Sequence, residues 1–191
     1  MHTCRMNIQV NTSISKKWPG FKRYEKIDEI VIHGTAGGSS TESLIRWMEG
    51  GEREENYKNG IGLFHFAIGQ KGEIVSVLPV DRWCYHSHAA LADKTTIGIE
   101  LLNPAQKNVG PYTEDQYKSL FWLIEKLSID HDIKYISGHA WRAFKYSRIK
   151  DYHCPGQFEW IKFTENLTSK HINFAEFTGG HYVLNPSQVM P

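Results

Sequence analysis

Residues 95–102 read Thr-Thr-Ile-Gly-Ile-Glu-Leu-Leu. An almost unbroken apolar run of this length, rich in β-branched side chains, is the pattern of a strand covered on both faces. It predicts the middle of a sheet and sets one acid, Glu100, inside it. Working outward, Ile27-Asp-Glu-Ile-Val-Ile-His33 is a second such run, ending on a histidine. Lys134 to Ser137 is a short third run that feeds Gly138-His139. Gly62–Gly69 and Ile74–Leu78, joined by the tight turn Gln70-Lys-Gly-Glu73, read as a hairpin.

Helical patterns alternate with these strands. Thr41–Met48 predicts a short helix capped by Thr41, with Leu44, Trp47 and Met48 on one face. Thr113-Glu-Asp-Gln116 has the form of a capping box. It opens a long amphipathic helix to about Asp130 that turns Leu120, Leu123, Ile124 and Leu127 inward. A further helix is expected from Gln157 to about Leu167. The fold class that follows is α/β, a single domain with a mixed central β-sheet flanked by helices. Residues 1–26 read as an irregular polar N-terminal arm, 27–167 as the domain proper, and 168–191 as a C-terminal tail of weak periodicity.

The chain has 191 residues, 40% of them hydrophobic, which suits one sizeable core. Its 22 basic and 21 acidic residues nearly balance, so no basic stripe recommends nucleic acid as a partner. Cys4, Cys84 and Cys154 cannot all pair internally and form no Cys-x-x-Cys. A reduced compartment or a metal thiolate is therefore preferred over a disulfide scaffold. The first twenty residues, MHTCRMNIQVNTSISKKWPG, hold no apolar core of a signal peptide. No run approaches the roughly 20 apolar residues of a membrane span. The expectation is a soluble protein made in the cytoplasm without a signal peptide or membrane insertion.

Ten histidines make histidine placement the most informative feature. His33 ends a strand, His139 follows another, and Cys154 precedes a Pro-Gly turn. Strand ends of a mixed sheet can gather on one rim. Two imidazoles and a thiolate meeting there would suit Zn2+. Three protein ligands leave a fourth position for water, the arrangement of a catalytic rather than a structural site. Each histidine alone reads equally well as a hydrogen-bonded strand-end residue, and Cys154 alone as a small buried hydrophobe. Glu100 adds weight, because burying an unpaired carboxylate is costly. Beside a metal-bound water it could act as general base; the other reading is a structural ion pair or a solvent-facing strand position. His86, in Trp83-Cys-Tyr-His-Ser-His88, is placed to hydrogen-bond a substrate carbonyl. His65 is a further substrate-side candidate, although packing within its hairpin accounts for it as well. His88 and His153 read as bystanders. Trp47, Tyr85 and Trp141 could line a groove or simply pack.

Six segments in register resemble the zinc-dependent N-acetylmuramoyl-L-alanine amidases of the type-2 family, whose fold is shared with peptidoglycan recognition proteins. They are Ile-Val-Ile-His-Gly-Thr at 30–35, Phe-His-Phe-Ala-Ile with Lys-Gly-Glu-Ile at 64–74, and Cys-Tyr-His-Ser-His at 84–88. Thr-Ile-Gly-Ile-Glu-Leu at 96–101, Ser-Gly-His at 137–139 and Cys-Pro-Gly followed by Phe-Glu-Trp at 154–160 complete the set. The resemblance covers about residues 28–160. It implies Zn2+ on His33, His139 and Cys154, with Glu100 as the catalytic acid. Some members instead use a tyrosine before the His-Phe of the hairpin, where this chain has Phe64. The lysine that often stands two residues before the last ligand is replaced by Tyr152. Lys150 or Arg148 could reach in from the longer loop, or Tyr152 could donate its hydroxyl.

The implied function is zinc-dependent hydrolysis of the N-acetylmuramoyl-L-alanine amide bond of peptidoglycan or muropeptide fragments, by a monomer. The rival readings are a non-catalytic peptidoglycan-binding module on the same fold, and another zinc amidohydrolase or a structural zinc protein with His153 or His86 as a fourth ligand. The setting would be an endolysin released onto the cell wall or an enzyme recycling wall fragments in the cytoplasm.

Overall fold

A computed structural model describes residues 7–35, 37–104, 110–150, 153–168, 174–177 and 181–184. Its central sheet has six strands, in the spatial order β1 (Ile8–Val10), β5 (Ile74–Ser76), β4 (Phe66–Ile68), β7 (Thr96–Leu101), β3 (Glu29–Gly34) and β8 (Tyr135–Gly138). The hairpin pair β4–β5 is antiparallel, and the other four pairings are parallel. The mixed sheet expected from the sequence is therefore present, with the 96–101 strand well inside it.

Alternation along the strands gives the sheet two faces. On one face Ile30, Ile32, Phe66, Ile68, Ile97, Ile99, Leu101 and Ile136 pack against Leu120, Leu123, Ile124 and Leu127 of α4 (Glu114–Asp130) and Phe163 and Leu167 of α6 (Trp160–Thr168). The capping box is as the sequence predicts: Gln116 N–H donates to Thr113 Oγ1 at 3.2 Å and Thr113 N–H to Gln116 Oε1 at 3.0 Å. The buried Gln116 amide also donates to the carbonyls of Ile68 and Leu102, at 3.2 and 2.9 Å. One side chain thus starts the helix and fastens it to the ends of two strands.

On the opposite face, α1 (Thr12–Lys17) and α2 (Thr41–Glu49) cover β4 and β5 with Ile14, Trp18, Leu44 and Met48. Over β3 and β8 lies α5 (His139–Ser147).

The arm is less irregular than its polar composition suggests. Ile8–Val10 form the edge strand, and Asn11 caps α1 by accepting from the Ser13 and Ile14 amides at 3.0 and 3.3 Å. Only Ile14 and Trp18 anchor α1, too few residues to show a period. Phe21–Lys22 (β2) pair with Arg82–Trp83 (β6), and the charged 50–60 loop contains a short helix, α3 (Glu54–Lys58). In α2 the cap is Ser40 rather than Thr41, and Trp47 is 42% exposed rather than on the inward face. The final helix begins at Trp160, three residues later than expected. Within the tail, β9 (Phe174–Phe177) and β10 (His181–Leu184) pair antiparallel.

Candidate metal centre

The parallel register sets His33 of β3 opposite Glu100 of β7, and Ile32 opposite Gly138 of β8. His139, the next residue after Gly138, therefore lands beside His33. Three neighbouring strands deliver these groups at their carboxyl ends, on the face away from α4. His33 Nδ1 stands 2.9 Å from His139 Nδ1 and 4.0 Å from Glu100 Oε1. Cys154 arrives from a loop that is tied down closely. Its carbonyl accepts from Ala140 N–H at 2.7 Å, its Sγ accepts from Gly34 N–H at 3.2 Å, and Tyr112 Oη donates to the Pro155 carbonyl at 2.6 Å. Gly138 permits this approach, because a Cβ there would lie 3.0 Å from Trp160 and 3.1 Å from Pro155. One ligand atom each from His33, His139 and Cys154 lies within 4.8 Å of the others, and all three residues are buried.

Burial sets the protonation states. It holds His33 well below the usual imidazole range, with His86 adding to the effect, and it lowers His139 likewise, with His33 adding. Both rings are neutral and can offer lone pairs. Burial pushes the Cys154 thiol up, with Glu100 adding to the effect. Glu100 is pushed up to about 8, again by burial, against the pull of the Arg53 guanidinium. Its Oε2 has no hydrogen-bond partner among the described residues. Two neutral imidazoles and one ionisable sulfur, within reach of one ion, match the donor types and number of a zinc site with one position left over.

His33 is held from behind. Its Nε2 stands 2.9 Å from His86 Nδ1, and His86 Nε2 stands 2.7 Å from Thr96 Oγ1. The His86 side chain is 2% exposed, so it does not face a substrate carbonyl as the sequence suggested. The reason is Gly98, where a Cβ would lie 2.9 Å from His86 Nδ1: the missing side chain lets the ring lie down on the strand. His65 also departs from the expected substrate side. It is fully buried, its Nδ1 accepts from Gly98 N–H at 3.0 Å, and its Nε2 lies 3.0 Å from the Arg82 carbonyl. Burial lowers its pKa to about 3. Trp141 is buried too, with the Lys145 ammonium 4.4 Å from its ring centre, rather than lining an open groove. Lys150 is exposed beyond α5, and Tyr152 lies outside the described residues.

Three features escaped the sequence reading. His88, taken for a bystander, stacks on His139 with ring centres 5.1 Å apart. Trp47 and Arg53 form an exposed pair, the guanidinium 5.5 Å from the ring centre. Under the cluster runs a buried network: Arg142 pairs with Glu29, donates to Ser87 Oγ at 2.7 Å and approaches Asp93 Oδ1 at 3.4 Å, while Ser137 donates to Glu29. Glu29 and His33 share a face of β3 four residues apart, and that period-two spacing was the signal available.

The family model described as N-acetylmuramoyl-L-alanine amidase matches residues 23–157. Among curated proteins, no sequence matches this chain significantly. Among solved structures, the N-acetylmuramoyl-L-alanine amidase LysC from Clostridium intestinale superposes with a TM-score of 0.64 at 22% identity, covering 85% of this chain and 97% of LysC. A mutant endolysin from Bacillus subtilis gives 0.59 at 22% identity, with coverage of 83% and 96%. The peptidoglycan recognition protein PGRP-SA from Apis mellifera gives 0.59 at 15% identity, with coverage of 78% and 90%. At these identities the likeness is one of fold.

Proposed function

The chain belongs to the N-acetylmuramoyl-L-alanine amidase family of enzymes, and we propose that it uses zinc to hydrolyse the amide between the lactyl group of N-acetylmuramic acid and the L-alanine of the stem peptide. The substrate is peptidoglycan or its muropeptide fragments, and residues 27–167 form the catalytic domain. The observation that carries this reading is the meeting of His33, His139 and Cys154 within 4.8 Å, next to a carboxylate whose Oε2 lacks a hydrogen-bond partner among the described residues.

His33, His139 and Cys154 would hold the ion. Bound Zn2+ supplies Lewis acidity, bringing a water toward a pKa of about 7 and polarising a carbonyl. Glu100, raised by burial to about 8, is matched to such a water. Its carboxylate takes the proton of the attacking water and returns it to the alanine nitrogen as the C–N bond breaks. The products are the muramyl carboxylic acid and a peptide with a free alanine amine. Lys150 and Tyr152 are the chain's candidates for steadying the oxyanion. A binding module without turnover would need neither the thiolate nor the acid. Among the described residues no helix is long and apolar enough to cross a membrane.

The test is digestion of purified cell walls by the full chain, read by mass spectrometry. New alanine amino termini should accumulate, disappear with a chelator and return with added zinc. Walls that are bound but yield no such termini would overturn the hydrolytic reading.

A further inference from the structure

The hydrogen bonds behind His33 carry a direction, and that direction can be followed. The Thr96 hydroxyl donates to the Asp93 carbonyl at 3.0 Å, which can only accept. With its proton donated there, Thr96 Oγ1 is an acceptor for its other neighbour, which assigns the hydrogen to His86 Nε2 at 2.7 Å. The Asp93 carboxylate, with Oδ1 4.0 Å from the same nitrogen, favours the same choice. A neutral His86 protonated on Nε2 has a lone pair on Nδ1. That lone pair faces His33 Nε2 at 2.9 Å, so His33 carries its hydrogen on Nε2. What remains on His33 is a lone pair on Nδ1, aimed at His139 Nδ1.

We infer that His86 and Thr96 are positioning residues: a one-way hydrogen-bond chain from Asp93 through Thr96 and His86 locks His33 in the Nε2–H tautomer, with Nδ1 free to ligate metal. This rests on the zinc reading above and deepens it. The chain is anchored at its far end, where Asp93 Oδ2 accepts from the His86 and Ser87 amides at 3.0 and 3.2 Å. It is also pressed onto the sheet, since Gly98 leaves room for the His86 ring and for nothing larger on the strand. An outer partner that fixes a ligand's tautomer raises metal affinity by removing the cost of the wrong proton arrangement.

The test uses the full chain stripped of zinc and then titrated with zinc against a chromophoric chelator. His86→Ala should weaken zinc binding about 10–100-fold. His86→Asn puts an amide oxygen where Nδ1 stood and should recover most of that loss. Thr96→Val should weaken binding less than His86→Ala, and Thr96→Ser should be silent. If the ring merely fills space, Ala and Asn fail alike, and the inference is wrong. Nitrogen-15 spectra of the zinc-free chain supply a readout independent of both affinity and activity. His33 should appear as the Nε2–H tautomer in the wild type and lose that bias in His86→Ala, while circular dichroism confirms that the variant is folded. A wild-type His33 found as Nδ1–H would overturn the chain. A wild type that binds no zinc, yet shows the Nε2–H tautomer, would instead sink the zinc reading and leave the hydrogen-bond direction standing.

Discussion

Ile32 and His33 are neighbours in β3, as are Ile99 and Glu100 in β7, yet each pair looks out on two different chemistries. The isoleucines enter a face closed by hydrocarbon from α4 and α6. His33 and Glu100 enter a face where, over β7, β3 and β8, the buried groups include imidazoles, carboxylates, hydroxyls and the Arg142 guanidinium alongside Val31 and Ala143. Burying each large aliphatic side chain stabilises by about 1.5–3 kcal/mol and asks for little beyond volume. Buried polar groups offset their desolvation cost only when each finds a partner. On this face nearly all do, through Arg142–Glu29–Ser137 and Asp93–Thr96–His86–His33. Glu100 Oε2 has no hydrogen-bond partner among the described residues, and it sits beside the three described residues whose ligand atoms cluster around one point. One face holds the sheet together, and the other spends that stability on a site.

The sharpest way to break this division is Glu100→Gln. Wall hydrolysis should fall about 10²–10⁴-fold in kcat/KM while zinc content stays the same. Without zinc, the same variant should remove a pH slope. Folded Glu100 is pushed up to about 8 against 4.5 when unfolded, so the folded state holds the extra proton and the Glu100 contribution to stability is lost as pH rises between those values. Between about pH 7 and 8, where the buried histidines are neutral in both states, melting temperatures should fall with pH for the wild type and flatten for the Glu100→Gln variant, whose amide does not titrate. Next, Arg142→Met leaves Glu29 and Asp93 buried without their cation and should cost ~3–5 kcal/mol in denaturant unfolding. Leu123→Ala on the hydrocarbon face should cost ~2–5 kcal/mol and leave zinc affinity and kcat/KM untouched in the folded protein. If that variant lowers zinc affinity as well, the faces are not independent. A smaller effect is in pH. The histidines are already neutral and the thiol is protonated, so zinc uptake should release one proton and tighten about tenfold per pH unit. The smallest is Thr113→Ala, which removes the α4 cap for about 1 kcal/mol and should not reach the site at all.

The sheet was legible because its apolar runs are long and its long helix announces itself with a capping box. His33 and Glu100 stand out in the sequence because each ends or interrupts such a run, His139 because it follows one and Cys154 because it precedes a Pro-Gly turn, and the structure brings His33, His139 and Cys154 together. What lies around them was not. The tautomer-setting role of His86 depends on Gly98 and on a loop that folds back over the strand, and neither appears in local spacing. α5 was missed because His139-Ala-Trp-Arg-Ala-Phe-Lys begins on a functional residue with no side-chain cap to mark a helix start. Arg142 reads as a surface cation in any sequence, and only tertiary placement shows that it is 1% exposed. β1 and α1 went unread because two or three apolar residues cannot establish a period.

The loop that brings Cys154 to Gly34 closes a span of 120 residues. During synthesis the two imidazoles leave the ribosome first and the sulfur follows. A chain that ends before residue 154 lacks one of the three proposed ligands and would present only two nitrogen donors, too few for a stable zinc centre. Under the zinc reading proposed above, the site would be completed only when the last of its three residues has been made.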